Sequence, residues 1–498
     1  MASTKNPKSV GLTRDERRPI ALEITLVILA IVWGGILRFE RLAAREMSAD
    51  EAASWASAAA PSVRLVISLG TRLNPGKLPL HDLALHGWIA LFGDGLFAMR
   101  ALSALCGVIA IPLVYLVARE LCRNGQGARS EAALEHAALV PGLAALLFAL
   151  NLVAIKYSRE ARMYPLLLTA ELIQVVLFLR ALRVPGLVLW WSLAFLTAFS
   201  LATNFSAGFL VAAEAVYLLL RSWFGEKTPV AREPRLRYVA LSLAAGLLVL
   251  LPLAWAAFGT VIYAARTGTW EWIKRPAFWE PLSFFNKATG TFAFPMLAFV
   301  AALGALVAER WRRTEVQFLL IWMWAPVLVM FAFSLTLRPV FVERYALSSF
   351  VPFFILAALG IAAIKSGSTR FLTAVLCVAL SLGHVYTYGR KPHEAQWREA
   401  TVLALSSAQP AAKIAVAPAY AVNVARYYGS ARDNFHAIAD TRLTPVPSEK
   451  DAERADFGAT AVLILGEQGI SASERARLST LFPHVLSRLR GVEVRLRQ

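Results

Sequence analysis

The stretch FLTAVLCVALSLGHVY (371–386) carries no formal charge and is one of many long apolar runs in the chain. Of the 498 residues, 57% are hydrophobic and 17% are charged, and the mean hydropathy is +0.55. A soluble protein carries about a quarter charged residues, and a helix needs roughly 20 mostly apolar residues to cross a bilayer. The sequence therefore predicts an all-α polytopic membrane protein.

Eleven segments are long and apolar enough to be membrane spans. The first, at 21–38, is predicted to be a signal anchor, because it is long and no small-residue cleavage site follows it at once. The basic tail 1–20 would stay in the cytoplasm, and an odd number of spans would place the C-terminus outside. The other spans are predicted near 97–118, 137–154, 164–180, 187–203, 206–223, 238–258, 291–308, 316–335, 346–364 and 370–388.

The net charge of +18 is explained first by topology. Lys and Arg collect in loops that stay in the cytoplasm, so the basic excess gives no reason to expect nucleic acid as a partner. No disulfide framework or CxxC motif is formed by the three cysteines. The predicted inner loops are all basic: RELCRNGQGAR (119–129), RALR (180–183), EKTPVAREPRLR (226–237), ERWRR (309–313) and KSGSTR (365–370).

Two segments outside the spans are long enough to have structure of their own. The first outer loop, 39–95, has apolar residues at helical spacing and is predicted to form short helices in the interface plane. Residues 389–498 are predicted to form a small α/β domain on the outer, periplasmic face. Its predicted strands lie in 411–420, 460–466 and VEVRLR (492–497), and its predicted helices at 419–430 and 473–490.

The first outer loop contains EMSADEAASW (46–55), in which two acids stand side by side. Ser48 and Glu51 fit the S-x-x-E capping box at the start of a helix. That motif explains Glu51 but does not explain Asp50. Adjacent helical residues point about 100° apart, so only one acid can face a cleft while the other caps. We expect Asp50 to be the acid that faces the cleft.

Cations also occur in three loops predicted to lie outside, where the positive-inside rule does not require them. For a single residue, snorkelling or headgroup contact is a sufficient explanation. Three loops with the same feature, beside a pair of acids, favour a shared anion site, and arginine is well shaped for phosphate. The loops are KYSREAR (156–162), residues 259–290 with Arg266, Lys274, Arg275, Lys287, Trp270, Trp272 and Trp279, and LRPVFVERY (337–345).

A lone carboxylate beside cations at a membrane surface suits one type of chemistry. The carboxylate can act as a general base on an acceptor hydroxyl, and the cations can stabilise charge on a leaving phosphate. These are the parts for glycosyl transfer from a lipid-phosphate sugar. A single base implies one displacement with inversion, since a double displacement needs a second, nucleophilic carboxylate close by.

The arrangement resembles the glycosyltransferase C (GT-C) superfamily. The nearest resemblance is to bacterial relatives of the dolichyl-phosphate-mannose–protein mannosyltransferases (family 39), which include the lipid A aminoarabinose transferases. The matching elements extend to about residue 400. They are the acidic pair, Lys77-Leu78-Pro79-Leu80 in place of K-P-P-L, Trp88 with Phe92-Gly93, Arg100, SREARMY (158–164) for E-A-R-x-Y, and RPVFVERY (338–345) for the late R-Y element.

The resemblance implies a GT-C fold, a polyprenyl-phosphate-linked sugar donor and a place in a bacterial inner membrane. The acceptor would be a glycan, a lipid or a protein. Among the site residues, the acidic pair Asp50 and Glu51 would be catalytic, with Asp50 as the base. The implied phosphate-binding residues are Lys77, Arg159, Arg162 and Arg344, and the implied cleft-lining residues are Tyr164, Tyr345 and His81.

Two alternatives stay open at this point. His81, Asp82 and His86 have a spacing of five between the histidines rather than the i, i+4 of a helical metal pair, so no metal or other cofactor is predicted to be required. A divalent ion beside Asp50 stays open. Glu171 and Glu214, inside predicted spans, favour a transporter or flippase of lipid-linked sugars. Such a protein would place its polar groups near the midplane in paired repeats, which this chain does not show.

Overall fold

In the computed structural model, helices occupy all of the predicted spans. The structure describes residues 14–497 except 76, 123–130, 225–232, 267–272, 310–312, 391–394, 434–435, 439 and 447–459. The first part of the tail, Trp270, Trp272 and most of three inner loops lie outside the described residues. The helices are α1 Arg14–Phe39, α2 Ala49–Ala58, α3 Val63–Leu73, α4 Leu80–Phe92, α5 Leu96–Cys122, α6 Glu131–Ala149, α7 Leu152–Ser158, α8 Tyr164–Ala181, α9 Leu187–Thr203, α10 Gly208–Phe224, α11 Glu233–Arg266, α12 Glu280–Ser283, α13 Asn286–Thr289, α14 Phe294–Glu309, α15 Arg313–Thr336, α16 Phe350–Ala362 and α17 Gly367–Arg390.

The described chain has seven helices that are long and apolar enough to cross a membrane, or nine if each of two bent pairs counts as one span. The other two predicted spans coincide with shorter apolar helices, Leu187–Thr203 and Arg237–Leu251. The all-α polytopic class is therefore confirmed.

One predicted span, 137–154, is not straight. It breaks between α6 and α7 with a bend of 58°. Asn151 begins α7 by accepting a hydrogen bond on Oδ1 from the Ala154 N–H at 3.1 Å. Such N-caps fix where a helix starts. The bend directs the end of α7, and with it the basic segment 156–162, towards the first outer loop.

The bundle is held together by close helix contacts, of which α14 against α16 is the tightest. A Cβ atom at Gly360 would lie 1.7 Å from the Val300 carbonyl oxygen, and one at Gly304 would lie 2.0 Å from the Leu356 carbonyl oxygen. Small residues at helix interfaces let two backbones approach in this way. The two glycines are therefore required by the packing.

The first outer loop forms the three short helices α2, α3 and α4, as predicted. Helices α2 and α4 pack with the start of α5 around a small core that includes Met47, Trp55 and Leu85, and α3 packs against α2 and α4. Val424 and Tyr427 of the C-terminal region complete the same core. The two segments outside the spans are thus packed against one another.

The C-terminal region is an α/β domain. Its elements are α18 Trp397–Ser407, β1 Lys413–Ala417, α19 Val422–Gly429, β2 Ala431–Asp433, β3 His436–Ile438, β4 Leu443–Pro445, β5 Thr460–Gly466, α20 Ala472–Leu481, β6 His484–Leu489 and β7 Val492–Leu496. Five strands form one sheet in the order β4-β1-β5-β7-β6, and β2 pairs separately with β3. β1 is parallel to β4 and β5, pairing Ile414 with Leu443 and Val416 with Ile464. β5 and β6 are antiparallel to β7.

The predicted helix at 473–490 is wrong in its second half. Helix α20 ends at Leu481, and 484–489 is strand β6, which pairs with β7. Pro483 is the cause, because proline disfavours the helical conformation of the residue before it, here Phe482 with φ −125° and ψ 74°. Gly491, with φ +74°, then turns the chain into β7.

We expect Gly360→Ala to destabilise the bundle, because the added methyl group would overlap the Val300 carbonyl oxygen. Overpacking of this kind costs about 1–3 kcal/mol. Thermal unfolding of the detergent-solubilised protein measures the effect. Gly35→Ala in α1 is the matched control, since nothing lies within 4 Å of its added methyl group. An unchanged melting temperature for Gly360→Ala would contradict the close contact.

Candidate active site

Helix α2 begins at the acidic pair, and its first turn is the predicted capping box. Ser48 Oγ accepts a hydrogen bond from the Glu51 N–H at 3.2 Å, and Glu51 Oε2 accepts one from the Ser48 N–H at 3.0 Å. Two backbone donors at the helix start are satisfied reciprocally. The turn that carries Asp50 is therefore rigid.

Glu51 does more than cap the helix. It is 1% exposed, and its carboxylate receives both Arg100 Nε at 2.7 Å and Arg100 Nη2 at 2.9 Å. The Ala161 N–H donates to Glu51 Oε1 at 2.9 Å. Burial raises the pKa of Glu51, but the Arg100 guanidinium together with the hydrogen bonds from the Ser48 and Ala161 N–H groups holds it below its ordinary value, so the group is ionised. Both oxygens of this candidate catalytic acid are thus used to hold α2, α5 and the 156–162 segment together.

Asp50 has a different environment. Its side chain is 48% exposed, and Oδ2 accepts a hydrogen bond from Arg344 Nη1 at 2.8 Å. Arg162 Nη1 donates to the Asp50 backbone oxygen at 2.7 Å. Burial raises the pKa of Asp50, but the charges of Arg162 and Arg344 hold it below its ordinary value. Asp50 is therefore an ionised carboxylate with one side open to a ligand.

Aromatic rings surround the two arginines. The Arg344 guanidinium lies 5.7 Å from the centre of the Tyr164 ring and 5.5 Å from that of Tyr345. Arg162 lies 5.9 Å from the Tyr164 ring, which meets the Tyr157 ring edge-on at 5.2 Å. Cation–π contacts of this kind stabilise a guanidinium without neutralising its charge. The arginines are held in place while their charge stays available.

Two further predicted site residues, Lys77 and His81, are buried among the helices of the first outer loop. Lys77 is 1% exposed, and its Nζ lies 2.5 Å from Asp82 Oδ2, while Asp82 Oδ1 accepts a hydrogen bond from Ser57 Oγ. His81 is also buried, and neither of its ring nitrogens has a hydrogen-bond partner in the described part of the chain. Burial, and then the Lys77 charge, lower the pKa of His81 to about 3. The positive charge of Lys77 is therefore paired, and His81 is neutral.

Arg159 points away from Asp50. Its guanidinium donates to the Glu40 carbonyl oxygen at 2.8 Å and to the Leu37 carbonyl oxygen at 3.5 Å, at the end of α1. It thus ties the 156–162 segment to the first span. The structure brings together five of the nine predicted site residues, namely Asp50, Arg162, Arg344, Tyr164 and Tyr345.

Two acidic residues of this region, Glu160 and Glu343, did not stand out as site residues in the sequence. Burial, and then the Glu51 charge, raise the pKa of Glu160 to about 7. Glu343 lies between two lysines, with Lys287 Nζ at 3.3 Å and Lys156 Nζ at 3.7 Å from its oxygens. Glu160 and Glu343 each stand beside an arginine of the matched motifs, E-A-R and E-R-Y. That adjacency is the signal that could have identified them.

No group of three or more His, Cys, Asp or Glu side chains able to hold a metal ion occurs within the residues that the structure describes. That no metal is required stays a prediction.

We expect the two adjacent acids to respond differently to substitution. Glu51→Ala would remove the carboxylate partner of the buried Arg100 guanidinium, and breaking a buried ion pair costs about 3–5 kcal/mol, so it should lower the melting temperature and the yield of folded protein. Asp50→Asn removes a half-exposed ion pair worth about 1 kcal/mol or less. Thermal unfolding of both purified variants makes the comparison. Equal melting temperatures would contradict the structural role of Glu51.

No protein-family model matches the sequence, and no curated protein matches it. Several solved structures match in fold, among them the following three. ArnT from Cupriavidus metallidurans bound to undecaprenyl phosphate has a TM-score of 0.59 at 14% identity, over 95% of this chain and 98% of that one. The apo oligosaccharyltransferase of Archaeoglobus fulgidus has a TM-score of 0.55 at 12% identity, over 90% and 70%. AglB from Archaeoglobus fulgidus in complex with an inhibitory peptide and a dolichol-phosphate has a TM-score of 0.51 at 11% identity, over 90% and 69%. Over nearly its whole length, the chain therefore has the GT-C fold that its sequence motifs predict.

Proposed function

We propose that the chain is an inverting glycosyltransferase that moves a sugar from a polyprenyl-phosphate donor to an acceptor hydroxyl. The observation that carries this proposal is the half-exposed Asp50 carboxylate, held by Arg344 in a ring of cations and tyrosines. Two proteins of the same fold were solved with lipid phosphates, undecaprenyl phosphate in ArnT and a dolichol-phosphate in AglB. Their ligands are of the class that such a cation cluster would bind.

Asp50 would act as the general base. The acceptor O–H gives its proton to the carboxylate while the acceptor oxygen forms a bond to the anomeric carbon of the sugar. The bond between that carbon and the phosphate oxygen breaks, and its electron pair stays on the polyprenyl phosphate. The pKa of Asp50 stays below its ordinary value despite its partial burial, because of the Arg162 and Arg344 charges, so at neutral pH Asp50 is in the carboxylate form that accepts a proton. A positioned base contributes about 10²–10⁴-fold in rate.

The arginines would bind the donor phosphate. Arg344 already holds Asp50 by one nitrogen, so a phosphate placed beside that carboxylate can share the guanidinium. Arg162, which contacts Ser54, Asn74 and the Asp50 backbone, adds a buried positive charge close by. Charge that develops on a leaving phosphate is stabilised most by cations that are already in place. The tyrosine rings hold both cations in position before the donor binds.

The environments of the other acids near Asp50 support a reaction with inversion at the sugar carbon. Glu51 is closed off by Arg100, so it offers no oxygen to the sugar carbon. Glu160, with a pKa of about 7, is partly protonated near neutral pH and is the poorer nucleophile. Among the described residues around Asp50, this leaves one base without a second available nucleophilic carboxylate, which suits a single displacement.

The setting and the substrates are proposed from the sequence. A periplasmic active site in the inner membrane follows from the charge distribution in the loops. The acceptor would be a glycan, a lipid or a protein, and the donor sugar a hexose or a pentose. The transporter alternative rests on Glu171 and Glu214, which are buried in the bundle, where Glu214 accepts a hydrogen bond from Gln174 at 2.8 Å.

Asp50→Asn is expected to lower transfer at least about 100-fold, because the base is lost. Membranes assayed with a panel of polyprenyl-phosphate sugars would measure this, with Glu399→Gln, an exposed acid of the C-terminal domain, as control. Undiminished transfer by Asp50→Asn would contradict the assignment of Asp50 as the general base. Movement of intact lipid-linked sugar across the membrane, without transfer, would favour the transporter.

Arg344→Ala and Arg159→Ala should differ in donor binding. Arg344 faces Asp50, whereas Arg159 donates to backbone oxygens of α1. Loss of a charge-assisted contact costs about 1.5–3 kcal/mol, so Arg344→Ala should weaken undecaprenyl-phosphate binding at least about tenfold. Arg159→Ala should leave it within about threefold. Equal affinities in both variants would contradict the assignment of Arg344 to the phosphate.

A further inference from the structure

The C-terminal sheet has a strand order that creates a ligand crevice in other open α/β sheets. Its parallel half has the order β4-β1-β5. From β1 the chain first adds β4 on one side and later returns to add β5 on the other. The strand order therefore reverses between β1 and β5. In open α/β sheets, ligands bind in the crevice outside the carboxyl ends of the strands at such a reversal.

Tyr420 and the loop 467–469 form this crevice. Tyr420 follows β1, is 55% exposed, and donates from its hydroxyl to the Gln468 carbonyl oxygen at 3.4 Å. Gly469 has φ +78°, and a Cβ atom there would lie 2.2 Å from the Tyr420 hydroxyl oxygen. The glycine thus makes room for the ring. Glu467 and Gln468 are exposed beside it.

The crevice is held against the helix that carries Asp50. The Tyr427 ring packs edge-on against Trp55 of α2 at 5.3 Å. The Met47 N–H donates to the Tyr428 hydroxyl at 2.7 Å, just before α2 begins. These contacts bring residues 419–421 against α2. Partial burial, and then the Asp50 charge, raise the pKa of Tyr420, in keeping with a position near the carboxylate.

We propose that this crevice, formed by Tyr420 and residues 467–469, is the acceptor subsite and that its ligand is a carbohydrate. The inference rests on the proposed function, since it places the acceptor hydroxyl next to Asp50. One exposed aromatic ring bordered by the Glu467 carboxylate and the Gln468 amide suits a sugar, which offers an apolar ring face and hydroxyls at its edge. A lipid tail would instead require an apolar lining.

The test uses the full-length protein without donor, applied to a microarray of bacterial cell-envelope oligosaccharides. The wild type should bind a subset of the glycans. Tyr420→Phe keeps the ring and should bind within about threefold, while Tyr420→Ala should bind at least about tenfold more weakly. Gly469→Ala, which displaces the ring, should also weaken binding. Leu486→Ala, an exposed residue on edge strand β6, is the control and should change nothing.

Undecaprenyl-phosphate binding is measured on the same samples and should be unaffected by Tyr420→Ala. Glycan binding that is unchanged in both Tyr420→Ala and Gly469→Ala would overturn the subsite. Binding of peptide or lipid probes in place of glycans would overturn the ligand class. If glycan binding depends on Tyr420 but neither the wild type nor any variant binds undecaprenyl phosphate, the acceptor subsite is supported and the proposed donor is contradicted.

Discussion

The buried ion pair between Glu51 and Arg100 is the constraint on which the site depends. It joins the start of α2 to α5, and the Ala161 N–H adds the 156–162 segment through the same carboxylate. A buried pair stabilises a fold only if hydrogen bonds satisfy its remaining valences. Here the capping box and Ala161 do so. Three segments that are distant in sequence are therefore fixed around one carboxylate.

This arrangement separates the roles of two adjacent acids. Glu51 is buried and fully hydrogen-bonded, whereas Asp50 is half exposed and bound mainly by Arg344. Because neighbouring helical residues point about 100° apart, fixing one of them sets the direction of the other. The position of Asp50 is thus a consequence of the Glu51 contacts. A rigid supporting shell of this kind is what a catalytic group requires.

The sequence predicts the parts of this structure that depend on local pattern. Apolar runs identify the spans, and S-x-x-E identifies the start of α2. The direction of a side chain is set by tertiary contacts, which the local sequence does not encode. Lys77 and Arg159 could therefore be identified as cations, but the sequence did not show that Lys77 contacts Asp82 or that Arg159 contacts the end of α1. The same limit explains strand β6, since its pairing with β7 and a single proline decide its conformation.

The ion pairs of the site balance most of its positive charge before a donor binds, yet they leave cations that can attract a donor phosphate. Three cations each contact a carboxylate, with Lys77 on Asp82, Arg100 on Glu51 and Arg344 on Asp50. Arg162 contacts neutral oxygens. Of the three pairs, only Arg344–Asp50 is substantially exposed, so it is the one that an incoming anion can reorganise at low desolvation cost. A donor phosphate would therefore meet the buried Arg162 charge and the exposed Arg344–Asp50 pair. By sharing the Arg344 guanidinium, it would loosen the contact of Arg344 with Asp50 and let Asp50 act on the acceptor.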